Sequence, residues 1–253
     1  ITDGTSASSR RLTHIAGAHA YPDTLKGSPE VRGVPSFTPS SRRPAGGTEI
    51  LGGSHLPPEA RGRMVIPQNI GYYGLHWYDL DEVDSGYAAT AVDPDLVYST
   101  DPTCRPVDVE VGPDGAIYML DWANPIVGHM QFSVRDPRRD HTHGRVWRIT
   151  KNDSPPLEWE PLGALEIPAL LANLEGEAPW SVRRSRIELQ RRPADEVLPE
   201  AVAWADRLGD SHALVETLWL HQAHGVVNEG LLDQVLSSDE PRARAAAPSH
   251  PKQ

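Results

Sequence analysis

Polar and apolar positions alternate through residues 105–149 in a way that predicts three successive strands. Val107, Val109 and Val111 fall on one side of an extended segment, with Asp108 and Glu110 on the other. Pro113-Asp114-Gly115 then turns the chain, because Gly115 accepts positive φ without a Cβ penalty and Asp114 can bond its own backbone. Residues 116–120 are nearly all apolar, which predicts a strand covered on both faces. Alternation returns over residues 144–149, where Val146 and Ile149 are apolar, Trp147 is bulky, and Arg145 and Arg148 are placed to reach solvent or a ligand.

A weaker series precedes this one, with strands expected over residues 48–51, 63–67, 74–80 and 87–92 and a turn at Asp84-Ser85-Gly86. Short strands at this spacing predict a β-propeller, of which residues 48–152 make about two blades. Residues 1–47 are rich in Ser, Gly, Pro and Arg and predict a loop-rich arm in which His14 and His19 are solvated.

Past Asn152 the pattern changes. Prolines at 155, 156 and 161 punctuate a linker over residues 153–162, with Pro168 shortly after it, and the β-branched alternation stops. Leu165, Pro168, Leu171 and Leu174 then form a helical stripe. Ser181 is placed to cap a second helix that Pro193-Ala194-Asp195 ends, and further helices are expected over residues 197–208, 213–221 and 231–236, with Pro241 opening a last one. Short helices joined by polar turns predict a HEAT-like segment over residues 163–247, followed by a tail at 248–253. The expected fold class is therefore multidomain, β then α: a partial β-propeller followed by a HEAT-like helical segment.

Composition narrows the function classes. A net charge of -11 argues against nucleic acid or an anionic membrane surface as the main partner. Cys104 is the only cysteine, so an internal disulfide, a thiolate zinc cluster and a CxxCH haem site are excluded. No apolar run approaches the roughly 18 residues of a membrane helix. The start at Ile1 rather than Met suggests a fragment or a processed chain. No phosphate loop, G-x-S-x-G elbow or zinc-protease helix is present.

Candidate chemistry concentrates between the second and third strands. The segment from Asp121 carries Asn124, His129 and Gln131 into a loop at a strand end, where propellers carry function. Asp121, Asn124 and His129 are the catalytic candidates. His141 and His143 lie on the same side of an extended chain and could share a metal, although spacing fixes no third ligand. The competing reading is a salt-bridged loop in which Arg135, Asp136, Arg138, Arg139 and Asp140 fasten the blade. His221 and His224 share a helix face, but packing beside Trp219 and capping the turn into Val226 explains them as well, and Asn228 is placed to cap the next helix.

Four stretches carry a resemblance: GTEILGGSHLPPEARG at 47–62, RPVDVEVGPDGAIYMLDWANPIVGHMQ at 105–131, RDPRRDHTHGRVWRI at 135–149 and LWLHQAHGVVNEGLL at 218–232. Through them the chain resembles the large propeller-plus-HEAT proteins of planctomycetes and verrucomicrobia described as membrane-bound dehydrogenases, akin to quinoprotein glucose and sorbosone dehydrogenases. That resemblance implies oxidation of a sugar or another alcohol in the periplasm or at the cell surface. It also implies pyrroloquinoline quinone and Ca²⁺ in the full-length protein, and a cytochrome c acceptor or haem c domain beyond this chain. Arg105, before Asp108, stands where such enzymes often carry an R-x-R-D pair for the quinone carboxylates, and Arg145 is a second candidate cofactor contact. Val107 replaces the second arginine of the pair, removing one bidentate clamp. A non-catalytic scaffold binding carbohydrate or protein is the rival reading, and a calcium-dependent lactonase-like hydrolase a third. Two blades are part of a propeller of roughly six, so the missing N-terminal blades are the expected partner, and the fragment alone is expected to be inactive and prone to association.

Overall fold

A computed structural model describes residues 43–45, 47–83, 86–126 and 135–247. His14, His19, the Asp84-Ser85 turn, the loop with His129, Met130 and Gln131, and the tail lie outside the described residues. The chain divides into two compact units, Ile1–Leu157 and Glu158–Gln253.

The first unit contains two antiparallel sheets that do not close on themselves. One holds β1 (Arg43–Ala45), β2 (Glu49–Ile50), β3 (Met64–Ile70), β4 (Gly74–Val83), β5 (Gly86–Ala91) and β6 (Val97–Tyr98). The other is a three-strand meander of β7 (Pro106–Val111), β8 (Ile117–Asp121) and β9 (Arg145–Ile149). A shared core of Leu51, Leu56, Val65, Leu75, Val109, Val111, Ile117 and Met119 joins them. Each such fully buried aliphatic side chain contributes about 1.5–3 kcal/mol.

The strand covered on both faces is β3 rather than β8. Val65 enters the shared core while Met64 and Ile66 pack with Tyr78 on the opposite face. β3 includes Pro67, which falls opposite the interval between β1, paired at Gln68, and β2, paired at Val65. A residue without an N–H is tolerated where a neighbouring strand is interrupted. In β8 only the Ile117 and Met119 side is buried; Leu120 is 41% exposed.

Val107 does not continue the alternation of Val109 and Val111. Pro106 pairs with Asp121 and Asp108 with Leu120, so Val107 is the extra residue of a β-bulge and is exposed. Its carbonyl accepts from the Gly47 N–H at 3.0 Å. A Cβ on Gly47 would sit 1.6 Å from Asp108 Oδ1, so a larger residue there would have to displace the Asp108 side chain.

The second unit comprises six α-helices among the described residues: α1 (Ile167–Asn173), α2 (Pro179–Arg191), α3 (Ala194–Leu208), α4 (Ser211–Ala223), α5 (Glu229–Leu236) and α6 (Pro241–Ala246). α4 is buried on two sides. Ala213 and Leu220 join Leu170, Leu189, Val197 and Trp204, while Val215 and Leu218 join Leu231, Val235 and Ala243. Asp210 caps α4 through Ala213 N–H and Asn228 caps α5 through Leu231 N–H, as the sequence predicts for Asn228. Ser181 is not a cap, because Pro179 already occupies the first turn of α2. Pro193 opens α3 instead of only ending α2, with Asp195 and Glu196 in the first turn to complement the helix dipole. Among the described residues no helix is long and apolar enough to cross a membrane.

Candidate functional site

Asp121 ends β8 with its side chain fully buried. Oδ1 accepts from the backbone N–H groups of Arg105 at 2.7 Å and Ala123 at 2.8 Å. Oδ2 accepts from Trp147 Nε1 at 2.9 Å and lies 2.7 Å from Arg145 Nε. That last contact is an ion pair rather than an aligned hydrogen bond. Burial alone would raise the carboxyl, but the hydrogen bonds from Trp147, Arg105 and Ala123 and the charge of Arg145 outweigh it and hold it below the usual aspartate value. A carboxylate has about four acceptor positions; here three take hydrogen bonds and the Arg145 charge lies against the remaining side of Oδ2. Asp121 thus ties the start of β7 and the start of β9 to the end of β8.

Arg145 is committed in the same network. It also donates to Asp101 Oδ2 at 2.7 Å and Thr103 Oγ1 at 3.1 Å. The hydrogen bond from Arg145 holds Asp101 down at about 2.

Arg105 differs. It is 4% exposed, and its guanidinium lies 4.6 Å over the Tyr73 ring. It donates to the carbonyls of Cys104 at 3.2 Å and Pro125 at 3.5 Å, while Nε is buried without a hydrogen-bond partner. An aromatic face and two carbonyls offset only part of the cost of burying this cation.

Asn124 is buried and pins the loop, accepting from Ile126 N–H at 3.2 Å and donating to the Asp140 carbonyl at 3.4 Å. His141 and His143 are both exposed. His143 Nδ1 lies 2.9 Å from Asp140 Oδ2. The Thr142 N–H, with lesser help from His143, holds the Asp140 carboxyl at about 2. Arg138 chelates Asp136 through Nε and Nη2 at 3.0 and 2.9 Å. Of the fastened loop expected as the alternative to a metal site, the Arg138–Asp136 pair and the Asp140–His143 contact are present among the described residues. Among the described residues no group of three or more His, Cys, Asp and Glu side chains is placed to hold a metal ion. His129 lies outside the described residues.

In the helical unit His221 is buried, with Nδ1 2.9 Å from the Thr217 carbonyl and Nε2 3.2 Å from Asn228 Nδ2, while His224 Nε2 lies 3.2 Å from the Leu189 carbonyl. Each ring bonds within the fold instead of converging on one site.

A second polar cluster, on the first sheet, has no counterpart in the sequence reading. His76 on β4 is 3% exposed, with Nδ1 2.7 Å from Asp95 Oδ1 and Nε2 2.7 Å from Gln68 Oε1. Tyr72 stacks on the imidazole at 4.1 Å and donates its hydroxyl to Asp95 Oδ2 at 2.7 Å. The sequence signal is a polar residue within an apolar stretch of each strand, Gln68 after residues 64–67 and His76 between Leu75 and Trp77. Their meeting depends on the β3–β4 register, which pairs Ile66 with His76.

No curated protein and no solved structure matches the chain. Residues 12–153, more than half of its length, match the family described as a domain of unknown function (DUF7133), and the chain belongs to that family.

Proposed function

We propose that the β unit is about two C-terminal blades of a β-propeller, and the helical unit the first HEAT-like helices, of a quinoprotein-like dehydrogenase. It oxidises sugars or other alcohols in the periplasm or at the cell surface and passes electrons to a cytochrome. The reading rests on the motif resemblance and on one structural observation. Arg105, at the head of a blade strand, buries a guanidinium that lacks a full set of acceptors, and an anionic ligand group would complete it. The residues present fit such a group at Arg105 and not a whole quinone site: Arg145 is held by Asp101 and Asp121, and Val107 offers no charge. A cofactor would take its other contacts, and calcium its ligands, from elsewhere in the protein.

The rival is a non-catalytic propeller scaffold binding carbohydrate or protein. What favours it is the saturation of Asp121, which leaves that carboxylate no position from which to take a substrate proton. Titration of the full-length protein with pyrroloquinoline quinone, with and without Ca²⁺, separates the two when followed by absorbance and by dye reduction with a panel of aldoses. Binding with aldose-dependent reduction supports the dehydrogenase; neither binding nor reduction ends it. Arg105→Met supplies a second check. A ligand-binding role predicts unfolding stability within about 1 kcal/mol of the parent, because the buried unpartnered Nε is removed, together with loss of quinone binding.

A further inference from the structure

We propose that the edge of the first sheet around Asp95 and Tyr98 is a binding subsite for a neutral polyhydroxyl ligand, a sugar ring whose hydroxyls Asp95 accepts and whose C–H face stacks on Tyr98. The dehydrogenase reading uses neither residue, and the subsite does not depend on it.

Asp121 and Asp95, each the anchor of a network in the β unit, differ in what they leave open. Asp121 has a fully buried side chain and four donors around it. Asp95 receives one donor on each oxygen, His76 Nδ1 on Oδ1 and the Tyr72 hydroxyl on Oδ2, and its side chain is 26% exposed. Both oxygens are therefore fixed in direction and each retains acceptor capacity toward solvent. Two fixed oxygens with one open position each suit the adjacent hydroxyls of a polyol.

The contacts of His76 hold the carboxylate in place. Gln68 donates its Nε2 to the Ile70 carbonyl at 3.0 Å, which orients the amide and leaves Oε1 to face His76 Nε2. The imidazole thus bridges the two side chains, with Nε2 toward Gln68 and Nδ1 toward Asp95. What Asp95 leaves open are acceptor positions on two adjacent oxygens, which the hydroxyls of one sugar ring can donate to together.

Tyr98 provides the apolar contact. It is 63% exposed, and its ring lies 5.2 Å from that of Tyr72, tilted by 50°. The same Tyr72 thus holds the carboxylate with its hydroxyl and flanks the exposed ring. Gly74 makes the arrangement possible: a Cβ there would meet the Val97 carbonyl oxygen at 2.0 Å and Tyr72 Cε1 at 3.0 Å. Only glycine lets β6 lie against β4 with the Tyr72 ring in place.

The test is saturation-transfer NMR and calorimetry on the full chain with D-glucose and maltotriose, and with tetramethylammonium as the cationic probe. Saturable sugar binding is expected. Tyr98→Ala, at an exposed position that leaves the thermal unfolding curve unchanged, should weaken it roughly three- to tenfold, while Tyr98→Phe, which keeps the ring, should retain it. Asp95→Asn should weaken it as well. Absence of saturable sugar binding, equal affinity in the Tyr98→Ala chain, or tighter binding of tetramethylammonium than of either sugar would each overturn the proposal. These readouts need no quinone, so failure here is distinct from failure of the dehydrogenase reading.

Discussion

Asp121 and Arg145 face each other across β8 and β9 as a cross-strand pair, with Oδ2 and Nε 2.7 Å apart. Because the same carboxylate also receives the Arg105 and Ala123 N–H groups and the Trp147 indole, removing it strands several buried donors at once. Asp121→Ala should destabilise the β unit by about 3–5 kcal/mol, the cost of breaking a buried pair by deleting one partner. Asp121→Asn, which keeps an acceptor oxygen, should lose less. Urea unfolding followed by Trp fluorescence gives both values, and a change below about 1 kcal/mol for the alanine variant would contradict the hub role.

Glu49 gives the β unit an uncommon pH dependence. Burial, together with a hydrogen bond and like charge from Glu110, pushes its carboxyl up from 4.5 to about 7, while the N–H groups of Val111 and Ile50 pull the other way. Between these values the folded state holds a proton that the unfolded chain has released. Stability from this group is therefore complete below about pH 4.5, falls as pH rises to about 7, and is level above that. Asp121 acts in the opposite sense: its lowered value adds stability above the ordinary aspartate range that is lost as pH falls through the folded value. Glu49→Gln should remove the decline between pH 4.5 and 7 and leave the acid limb intact, as read from urea midpoints across that range.

Several of these features were legible in the sequence because they obey a short-range period. Val109, Val111, Ile117 and Met119 announce their strands by alternation, and Asn228 announces its helix by position. Val107 misleads because a bulge inserts one residue without any change in residue type, and a single insertion reverses the face of a side chain. Pro193 misleads because proline both stops one helix and starts the next. The Asp95–His76–Gln68 cluster is hidden for a different reason. Its members lie 8 and 19 residues apart and are brought together by strand register and by a loop return that no local pattern encodes. Among the site candidates, Asp121, Asn124, Arg105 and Arg145 all fall in or beside the second sheet, yet their partners decide their chemistry. Residue type marked Arg105 and Arg145 alike, and the positions of Asp101 and Asp121, which both pair with Arg145, separate them.

Gly115 should be far less replaceable than Gly71, although both have positive φ, of 78° and 73°. An added Cβ at Gly115 would meet His55 Cβ at 2.4 Å and Leu157 Cδ1 at 2.9 Å, whereas at Gly71 nothing lies within 4 Å. Gly71→Ala thus carries only the conformational penalty, about 1–2 kcal/mol. Gly115→Ala adds overpacking, about 1–3 kcal/mol more, and displaces His55 from the Pro155 carbonyl that its Nδ1 reaches at 3.1 Å. Equal losses for the two variants in thermal or urea unfolding would argue that the 112–115 turn relaxes away from His55.

In the helical unit the decisive polar contact is between α2 and α4. Arg186 donates from Nε and Nη2 to the two oxygens of Glu216, at 2.7 and 2.5 Å, and Glu216 is 1% exposed. Trp219 lies 5.6 Å beneath the guanidinium and shields it further. Because the pair is desolvated on the Glu216 side, its two ways of removal should differ. Glu216→Ala leaves a half-buried cation without its partner and opens a cavity beside α4, for a loss of about 3–5 kcal/mol. Replacing both residues, as Arg186→Met with Glu216→Leu, removes the charges together and fills the space, so the double variant should recover most of that loss or exceed the parent. A double-mutant cycle measured by urea unfolding separates the coupling from the packing change. If the double variant is as unstable as Glu216→Ala, the pair contributes net stability of its own, beyond offsetting the cost of burying its charges.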